Sequence, residues 1–239
     1  MPVSCRVPMI ACYGCGGSYG NQIMRAFAQG CGGEFIEKAY PNYKGGTTVV
    51  WGLHRGAPGL IEKAKEDGGD WYYVDHGYFA RGHMKGYYRV TKNGHQQAWI
   101  RDSNPDRWDK LGVKLHSRRT GAKVVIVPPS AIVQAVFGPF FEPPEGFTSR
   151  KDGKPFFEKF PDAQVVYTYN SIAAVEAIAS GVPCVVTGQS GATPVASPSI
   201  DELTFPAPDQ QRRWACSLAY GQFTMEEMRS GLAWRVVGL

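Results

Sequence analysis

Apolar and polar positions follow two different periods along the chain, and these periods alternate from one segment to the next. Short β-branched and aromatic runs predict strands over residues 8–11, 47–52, 70–75, 123–127, 164–168 and 182–187. Helical spacing predicts helices over residues 21–29, 59–67, 172–180 and 209–220. Thr224 and Glu227 form a capping box that predicts a final helix. This order predicts an α/β protein with two Rossmann-like sheets.

Composition divides the predicted elements into two groups. Residues 101–120 are rich in charge and in helix breakers, so we place a boundary near residue 120. This gives an N-terminal Rossmann-like domain over residues 1–120 and a C-terminal domain over residues 121–239. Residues 77–97 are predicted to be mostly loop, and residues 141–156 an irregular insert.

The stretch DAQVVYTYNSIAAVEAIASGVPCVVT, residues 162–187, predicts a strand, a helix and a second strand. Asn170 or Ser171 is a suitable N-cap, and Gly181 ends the helix. Thr168, Asn170 and Ser171 would then lie at the carboxyl end of a strand and the amino end of a helix, where open α/β sheets bind phosphorylated ligands. The pattern predicts a phosphate or diphosphate ligand.

The run TYNSIAAVEAIASGVPCVV resembles the donor-binding βαβ element of GT-B glycosyltransferases. The resemblance implies that Asn170 and Ser171 face the diphosphate and that Glu176 contacts a hydroxyl of the ribose or sugar. It also implies two Rossmann-like domains facing across a cleft in a compact GT-B arrangement, with a terminal helix that crosses back to the first domain. The co-substrate would be a nucleotide sugar, such as a UDP-sugar, with no tightly bound cofactor.

Two further segments, DHGYFARGHMKGYYRVTKNG and LAYGQFTMEEMRSGLAWRVV, are similar to glycosyltransferase-like proteins of bacteriophages and prophages. The chain of 239 residues is short for a GT-B enzyme. No D-x-D motif occurs, which disfavours a metal-dependent GT-A mechanism.

Sugar transfer to a hydroxyl needs a base for the acceptor and positive or dipolar groups for the leaving diphosphate. Asp75 and His76 end the predicted strand DWYYVD, so Asp75 is the first candidate for the base and His76 the second. For the leaving diphosphate, Ser130 and either Arg118 or Arg119 would assist the helix amino end at Ser171.

The formal net charge is +5, and the cations are unevenly placed. One tract interleaves cations with aromatic rings, a combination that suits a polyanion; it includes Arg81, Lys85, Tyr88, Arg89 and Lys92. Together with the phage resemblance, the tract indicates DNA as partner and a 5-hydroxymethylpyrimidine, flipped out of the duplex, as sugar acceptor. A surface-glycan acceptor and a non-catalytic nucleotide or nucleic-acid binding module remain alternatives.

Cys12 and Cys15 form a C-x-x-C pair, with Cys5 and Cys31 nearby in the sequence. A four-thiolate metal site or a redox pair is conceivable, but structural zinc sites usually have two close pairs, so we expect reduced thiols and no metal. The sequence has no apolar run long enough to cross a bilayer and no convincing signal peptide. We therefore expect a cytoplasmic protein, in the infected host cell if it is phage-encoded, and no membrane partner.

Overall fold

The computed structural model describes residues 9–37, 42–82, 84–138, 141–148 and 156–238. The strands in chain order are β1 (Ile10–Tyr13), β2 (Glu34–Ile36), β3 (Thr47–Trp51), β4 (Trp71–His76), β5 (Tyr88–Lys92), β6 (Lys123–Val127), β7 (Phe147–Thr148), β8 (Ala163–Thr168), β9 (Cys184–Val186) and β10 (Gln222–Phe223). The helices are α1 (Ser18–Cys31), α2 (Ala57–Glu66), α3 (Asp106–Leu111), α4 (Ala131–Phe137), α5 (Phe156–Lys159), α6 (Ala173–Ala179), α7 (Pro208–Ala219), α8 (Met225–Arg229) and α9 (Leu232–Gly238), with a 3-10 turn at Thr193–Val195.

The chain forms two compact units. The first contains the described residues of Met1–Gly77, Arg81–Gly94 and Gln222–Leu239, and the second contains those of Tyr78–Ala80 and His95–Gly221. Each unit has its own sheet with strands in parallel, so the predicted α/β class is confirmed.

The first unit has a six-stranded sheet in the order β10-β5-β4-β3-β1-β2. The neighbouring strands β2, β1, β3 and β4 are parallel to one another. β5 runs antiparallel to β4, and β10 runs antiparallel to β5. Helix α1 buries Ile23, Met24 and Phe27 in a core that also contains Val49 and Val74. The helix can approach the sheet closely because Gly20 has no side chain: a Cβ there would lie 2.7 Å from the Trp51 ring.

The second unit has a four-stranded, fully parallel sheet in the order β7-β6-β8-β9. Its core combines the small residues of α6 with large rings, Trp214 on α7 and Trp108 on α3. Phe79 lies between these two rings, with centroid distances of 5.0 Å to Trp108 and 6.2 Å to Trp214. Small residues on α6 allow that helix to pack closely on the parallel strands.

The division into units differs from the boundary that the sequence suggested at residue 120. Residues 95–120 pack with the second unit because Trp108 is buried in its core. Residues from Gln222 onward belong to the first unit because Phe223, Met228 and Ala233 are buried in the core beside α1. The predicted final helix is two short helices, α8 and α9, separated at Gly231, which has a φ of +79°.

The described residues of 77–97 are mostly loop, as predicted, but the segment also contains β5, which the sequence pattern did not predict. Polar residues interrupt the apolar pattern of the strand and are nevertheless buried. Arg89 is 4% exposed and pairs with Asp75, and the Thr91 hydroxyl donates to the Gly94 carbonyl at 2.6 Å. A strand that buries polar groups with partners does not show the period-two signal that sequence analysis relies on.

Candidate functional site

Two parallel strands of the second unit end at the same edge of their sheet and bring most of the predicted donor-binding residues to that edge. β6 pairs with β8 in a register that places Val127 beside Thr168. Ser130 follows β6, and Asn170 and Ser171 follow β8. The carboxyl edge of a parallel sheet is where open α/β proteins bind ligands, so this edge is the candidate site of the second unit.

The hydroxyl groups at this edge hold the turns that follow the strands. Thr168 is fully buried; its Oγ1 donates to the Val127 carbonyl at 2.6 Å and accepts from the Ser171 N–H at 3.3 Å. Ser130 Oγ accepts from the Val133 N–H at 3.4 Å and caps α4. Thr168 therefore offers no surface to a ligand, contrary to its predicted role as a donor-binding residue.

Helix α6 begins slightly later than the sequence suggested. Its N-cap is Ile172, without a side-chain capping bond, in place of the predicted Asn170 or Ser171. The Ser171 hydroxyl instead accepts from the Ala173 N–H at 3.2 Å. Glu176 lies in the first turn of α6 and is half-buried. Asn170 and Ser171 therefore lie in the turn that leads into α6.

A network of amide and imidazole side chains lies beside this turn. Asn170 Nδ2 lies 3.2 Å from His95 Nδ1, and the Gln96 amide donates to the Asn170 carbonyl. Gln189 Oε1 accepts from the His95 N–H at 2.9 Å, and Gln96 Oε1 accepts from the Gly191 N–H, also at 2.9 Å. Asn170, His95 and Gln96 are buried, at 6%, 8% and 1% exposed. The network fixes the orientation of an imidazole and of several amides at the sheet edge.

Sequence analysis did not identify His95, Gln96 or Gln189 as site residues. His95 and Asn170 are 75 positions apart, and His95 and Gln189 are 94 apart. No local motif joins residues at such separations. The triplet His95-Gln96-Gln97, a polar run that is buried in the structure, was the only available signal in this segment.

Arg118 lies away from the predicted diphosphate position. The exposed Arg118 is part of an extended segment in which the His116 N–H donates to the Ala179 carbonyl and the Arg119 N–H to the Gly181 carbonyl. These carbonyls belong to the carboxyl end of α6, about 10 Å from its amino end for a helix of this length. The prediction that Arg118 assists Ser171 is therefore wrong.

The first unit has a different kind of polar group, centred on Asp75 near the end of β4. Asp75 Oδ2 accepts from Arg89 Nη2 and from the Tyr73 hydroxyl, both at 2.8 Å, and Oδ1 accepts from the His76 N–H at 2.8 Å. Burial opposes ionisation of Asp75, but the Arg89 guanidinium and the two other donors outweigh it and lower the pKa of Asp75. A carboxylate with three donors and a lowered pKa is a weak proton acceptor.

His76, the second predicted candidate for the base, is exposed and lies among aromatic rings. Its ring stacks on Tyr19 at a centroid distance of 5.9 Å and meets Trp51 edge-on at 5.5 Å. The His76 carbonyl accepts from Arg89 Nη1 at 2.6 Å, which ties this backbone to the Asp75 ion pair. The imidazole is thus positioned by rings on two sides while it remains exposed.

The predicted nucleic-acid-binding tract is largely internal. Tyr88 is fully buried, and its hydroxyl bonds to that of Tyr19 at 3.0 Å, so its ring cannot stack on a base. Arg89 is buried in the ion pair with Asp75, and Lys92 Nζ pairs with Asp70 Oδ2 at 2.9 Å. Of the five residues predicted to bind nucleic acid, Arg81 and Lys85 are exposed, as that role requires.

The glycine-rich turn between β1 and α1 is tightly held. The Cys15 N–H donates to Asn21 Oδ1 at 3.0 Å, and Arg55 Nη1 donates to the Cys15 carbonyl at 2.6 Å. A Cβ on Gly16 or Gly17 would lie 3.4 Å from Arg55 Nη1, so the turn lets this guanidinium lie against its backbone.

The cysteines do not pair as their sequence spacing suggested. Cys12 Sγ lies 3.8 Å from Cys31 Sγ, whereas Cys15 lies in the turn beside Gly20. In the part of the chain that the structure describes, no three His, Cys, Asp or Glu side chains converge to hold a metal ion. Cys5, which the metal hypothesis also used, lies outside the described residues. Among these residues, no helix has the length and apolar character needed to cross a bilayer.

Comparisons with known proteins add weak structural similarity. No protein-family model and no curated protein sequence matches the chain. Among solved structures, the chain is similar to KpsC of Thermosulfurimonas dismutans, a beta Kdo 2,7 transferase, with a TM-score of 0.49 and 12% sequence identity. The match covers 94% of this chain and 98% of that one. A similarity this low supports no conclusion about activity or substrate.

Proposed function

We propose that the protein is a glycosyltransferase that moves a sugar from a nucleotide-sugar donor to a hydroxyl group. The observation that carries the proposal is the network in which the buried His95, Gln96 and Asn170 bond with one another and with the exposed Gln189, at the carboxyl edge of the parallel sheet of the second unit. The adjoining segment, residues 168–186, is the one that resembles the GT-B donor element.

In this proposal the second unit binds the donor, with a UDP-sugar as the first donor to test. The Asn170 side chain and the Ser171 turn contact the diphosphate side of the donor, and Glu176 accepts from a hydroxyl. The amides of the network suit this task, because pre-oriented N–H groups bind the negative charge of a donor without carrying a like charge themselves. We assign to His95 the role that the sequence suggested for Arg118, which is to lie beside the leaving diphosphate.

We assign the acceptor base to His76 and a positioning role to Asp75, both in the first unit. Asp75 is paired with Arg89 and has a lowered pKa, which makes it a poor proton acceptor. His76 is exposed, and imidazole is the usual general base near neutral pH. Asp75 holds the His76 backbone through the bond to its N–H.

The specific acceptor that we propose is a 5-hydroxymethylpyrimidine in DNA, following the resemblance to phage and prophage proteins. Three of the five residues first assigned to DNA binding are buried or ion-paired, so the proposal now depends on the exposed Arg81 and Lys85. Trp99, which is 45% exposed, is the ring available to an extruded base.

The direct test incubates the purified protein with a panel of labelled nucleotide sugars and with DNA that contains or lacks hydroxymethylpyrimidines. Transfer to the modified DNA alone, with loss of turnover in His76→Gln and retained donor binding, would support the full proposal. Asn170→Ala should weaken donor binding, whereas Gln210→Ala, an exposed position on α7, should not. Absence of any nucleotide-sugar binding would refute the glycosyltransferase proposal.

The alternatives give different results in the same experiment. A surface-glycan transferase would bind the donor and transfer to an oligosaccharide but not to DNA. A non-catalytic binding module would bind nucleotide without turnover, and binding would be unchanged in His76→Gln and Asp75→Asn alike.

A further inference from the structure

Two cysteines that are distant in the sequence lie side by side in the first unit. Cys12 is on β1 and Cys31 is the last residue of α1, and their Sγ atoms are 3.8 Å apart. We propose that Cys12 and Cys31 form a two-cysteine redox site that reacts with a hydroperoxide and closes reversibly to a disulfide. This site is separate from the proposed sugar transfer and does not depend on it.

The fold builds this contact from both sides. Cys12 lies in the middle of the sheet, paired with Phe35 of β2 and Val49 of β3, on the face that α1 covers. Helix α1 ends at Cys31 because Gly32 takes a φ of +69° and its N–H donates to the Ala28 carbonyl. The helix end therefore lies over the strand that carries Cys12.

Gly33 makes room for the Cys31 sulfur. A Cβ on Gly33 would lie 3.1 Å from Cys31 Sγ and 2.7 Å from the Ile10 carbonyl oxygen, so a side chain there would crowd both. A disulfide requires the sulfurs to approach to about 2.05 Å, a movement of roughly 2 Å. Because Cys31 is at the end of a helix and is followed by two glycines, its side chain is the one that can move.

The two thiols differ in access and in acidity. Cys12 is fully buried, whereas Cys31 is partly exposed. A hydrogen bond from the Cys12 thiol lowers the pKa of Cys31, and a hydrogen bond from the Gly33 N–H lowers it further. Burial acts in the opposite direction, but the net pKa of Cys31 is lowered. Since the thiolate is the reactive form, Cys31 is the attacking cysteine and Cys12 the resolving one.

The oxidant in this reaction is hydrogen peroxide, the simplest hydroperoxide. The Cys31 thiolate attacks one peroxide oxygen, the O–O bond breaks, and the leaving hydroxide takes a proton to become water while Cys31 becomes a sulfenic acid. The Cys12 sulfur then attacks Cys31 Sγ; the S–O bond breaks, the S–S bond forms, and a second water leaves with the Cys12 proton. Two thiols are oxidised by two electrons, and the peroxide is reduced to two water molecules.

The other described cysteines are placed differently. A Cβ on Gly20 would lie 2.5 Å from Cys15 Sγ, so Cys15 faces the first turn of α1, at the opposite end of the helix from Cys31. Cys184 is fully buried, and burial raises its pKa to about 12. Cys216 is also buried, and burial raises its pKa. Cys15→Ser is therefore the matched control for Cys31→Ser.

The test treats the folded wild-type protein with one equivalent of hydrogen peroxide, blocks the remaining thiols by alkylation, and maps the peptides by mass spectrometry. We expect loss of two thiols, a peptide pair linked through Cys12 and Cys31, and recovery of both thiols with dithiothreitol. Cys15→Ser should form the same link, and Cys31→Ser should not. Cys12→Ser should instead accumulate a sulfenic acid on Cys31, which a 1,3-dione reagent traps.

Three results would overturn the proposal. The wild type could form no intramolecular link at this peroxide level, it could link Cys12 to Cys15, or Cys31→Ser could lose thiols as fast as the wild type. The first two are measured on the unaltered protein, so a folding defect in a variant cannot produce them. For the third, the far-ultraviolet circular dichroism of Cys31→Ser is checked against that of the wild type before oxidation.

Discussion

The two sheet edges of this protein differ in how their buried polar groups are paired. At the edge of the first unit, the buried Arg89 pairs with the partly buried Asp75, and two rings contact the exposed His76. The edge of the second unit buries neutral amides and an imidazole, among them Gln96 and Asn170, which bond to one another and to backbone groups.

The two edges should tolerate different substitutions. A buried charge without its partner costs several kcal/mol, because desolvation is no longer offset. A buried amide without its partner costs about 1 to 3 kcal/mol, because only the lost hydrogen bonds and the stranded backbone group are involved. The first edge is thus the more sensitive to single changes, and the second is the better suited to exchange its hydrogen bonds with a ligand.

Arg89→Met should produce the largest effect. It leaves the Asp75 carboxylate, 25% exposed, without its cation, and we expect the free energy of unfolding of the protein to fall by about 3 kcal/mol. Urea denaturation measures the loss. Lys92→Met is the control, since Lys92 pairs with Asp70 in a more exposed position and should cost less than about 1 kcal/mol. Equal losses of unfolding free energy from the two substitutions would show that the Arg89–Asp75 pair stabilises the protein no more than the exposed Lys92–Asp70 pair does.

Gln96→Leu should cost less, about 2 kcal/mol. The substitution removes the donor to the Asn170 carbonyl and the acceptor for the Gly191 N–H while keeping a side chain of similar volume. Urea denaturation, with hydrogen exchange at the Gly191 amide, measures both effects. Gln210→Leu on the exposed face of α7 is the matched control and should change neither quantity. Unaltered protection of Gly191 in Gln96→Leu would contradict the network.

Helix caps in the two units should differ by a smaller amount. Thr224 and Glu227 form a complete capping box at α8, with bonds of 3.2 Å and 2.8 Å, whereas Ser130 at α4 makes a single bond of 3.4 Å. We expect Thr224→Ala to lower the free energy of unfolding by about 1 kcal/mol and Ser130→Ala by about 0.5 kcal/mol. Thermal unfolding of both variants measures the two losses of stability. A larger loss in Ser130→Ala than in Thr224→Ala would refute the prediction.

Acid should weaken the first unit through Asp75. The pKa of Asp75 is lower in the folded protein than in the unfolded chain, so this carboxylate contributes stability that is complete above about pH 5. The contribution is lost as the pH falls through the unfolded value of about 3.9 towards the folded value. The difference in unfolding free energy between wild type and Asp75→Asn, measured from pH 6 to pH 3, should therefore shrink. A difference independent of pH would exclude this linkage.

Local pattern predicted most of the elements well. The strand Lys123–Val127 was predicted with its observed bounds, and the predicted helix over residues 209–220 matches α7 to within one residue at each end. The capping box at Thr224 is also confirmed. These features depend on residues a few positions apart, where periodicity and capping chemistry act.

The candidate sites were predicted less completely. Ser130, Asn170 and Ser171 follow two parallel strands that end at the same sheet edge, a rule that sequence order is enough to apply. Arg118 was misplaced because an extended segment carries it along α6 to the opposite end of the helix. The tract of residues 81–92 was interpreted as surface because its charges and rings are visible in the sequence, while the partners that bury them are not.

The α/β class and the alternation of strands and helices can be predicted from the sequence, because they follow from local hydrophobic periodicity and capping. Which polar residues are buried, and with which partners, depends on contacts between distant segments. His95 meets Asn170, Arg89 meets Asp75, and Cys12 meets Cys31 instead of Cys15. The physical reason is that burying a polar or reactive group becomes favourable only when a distant segment supplies its partner, and no local pattern records that segment.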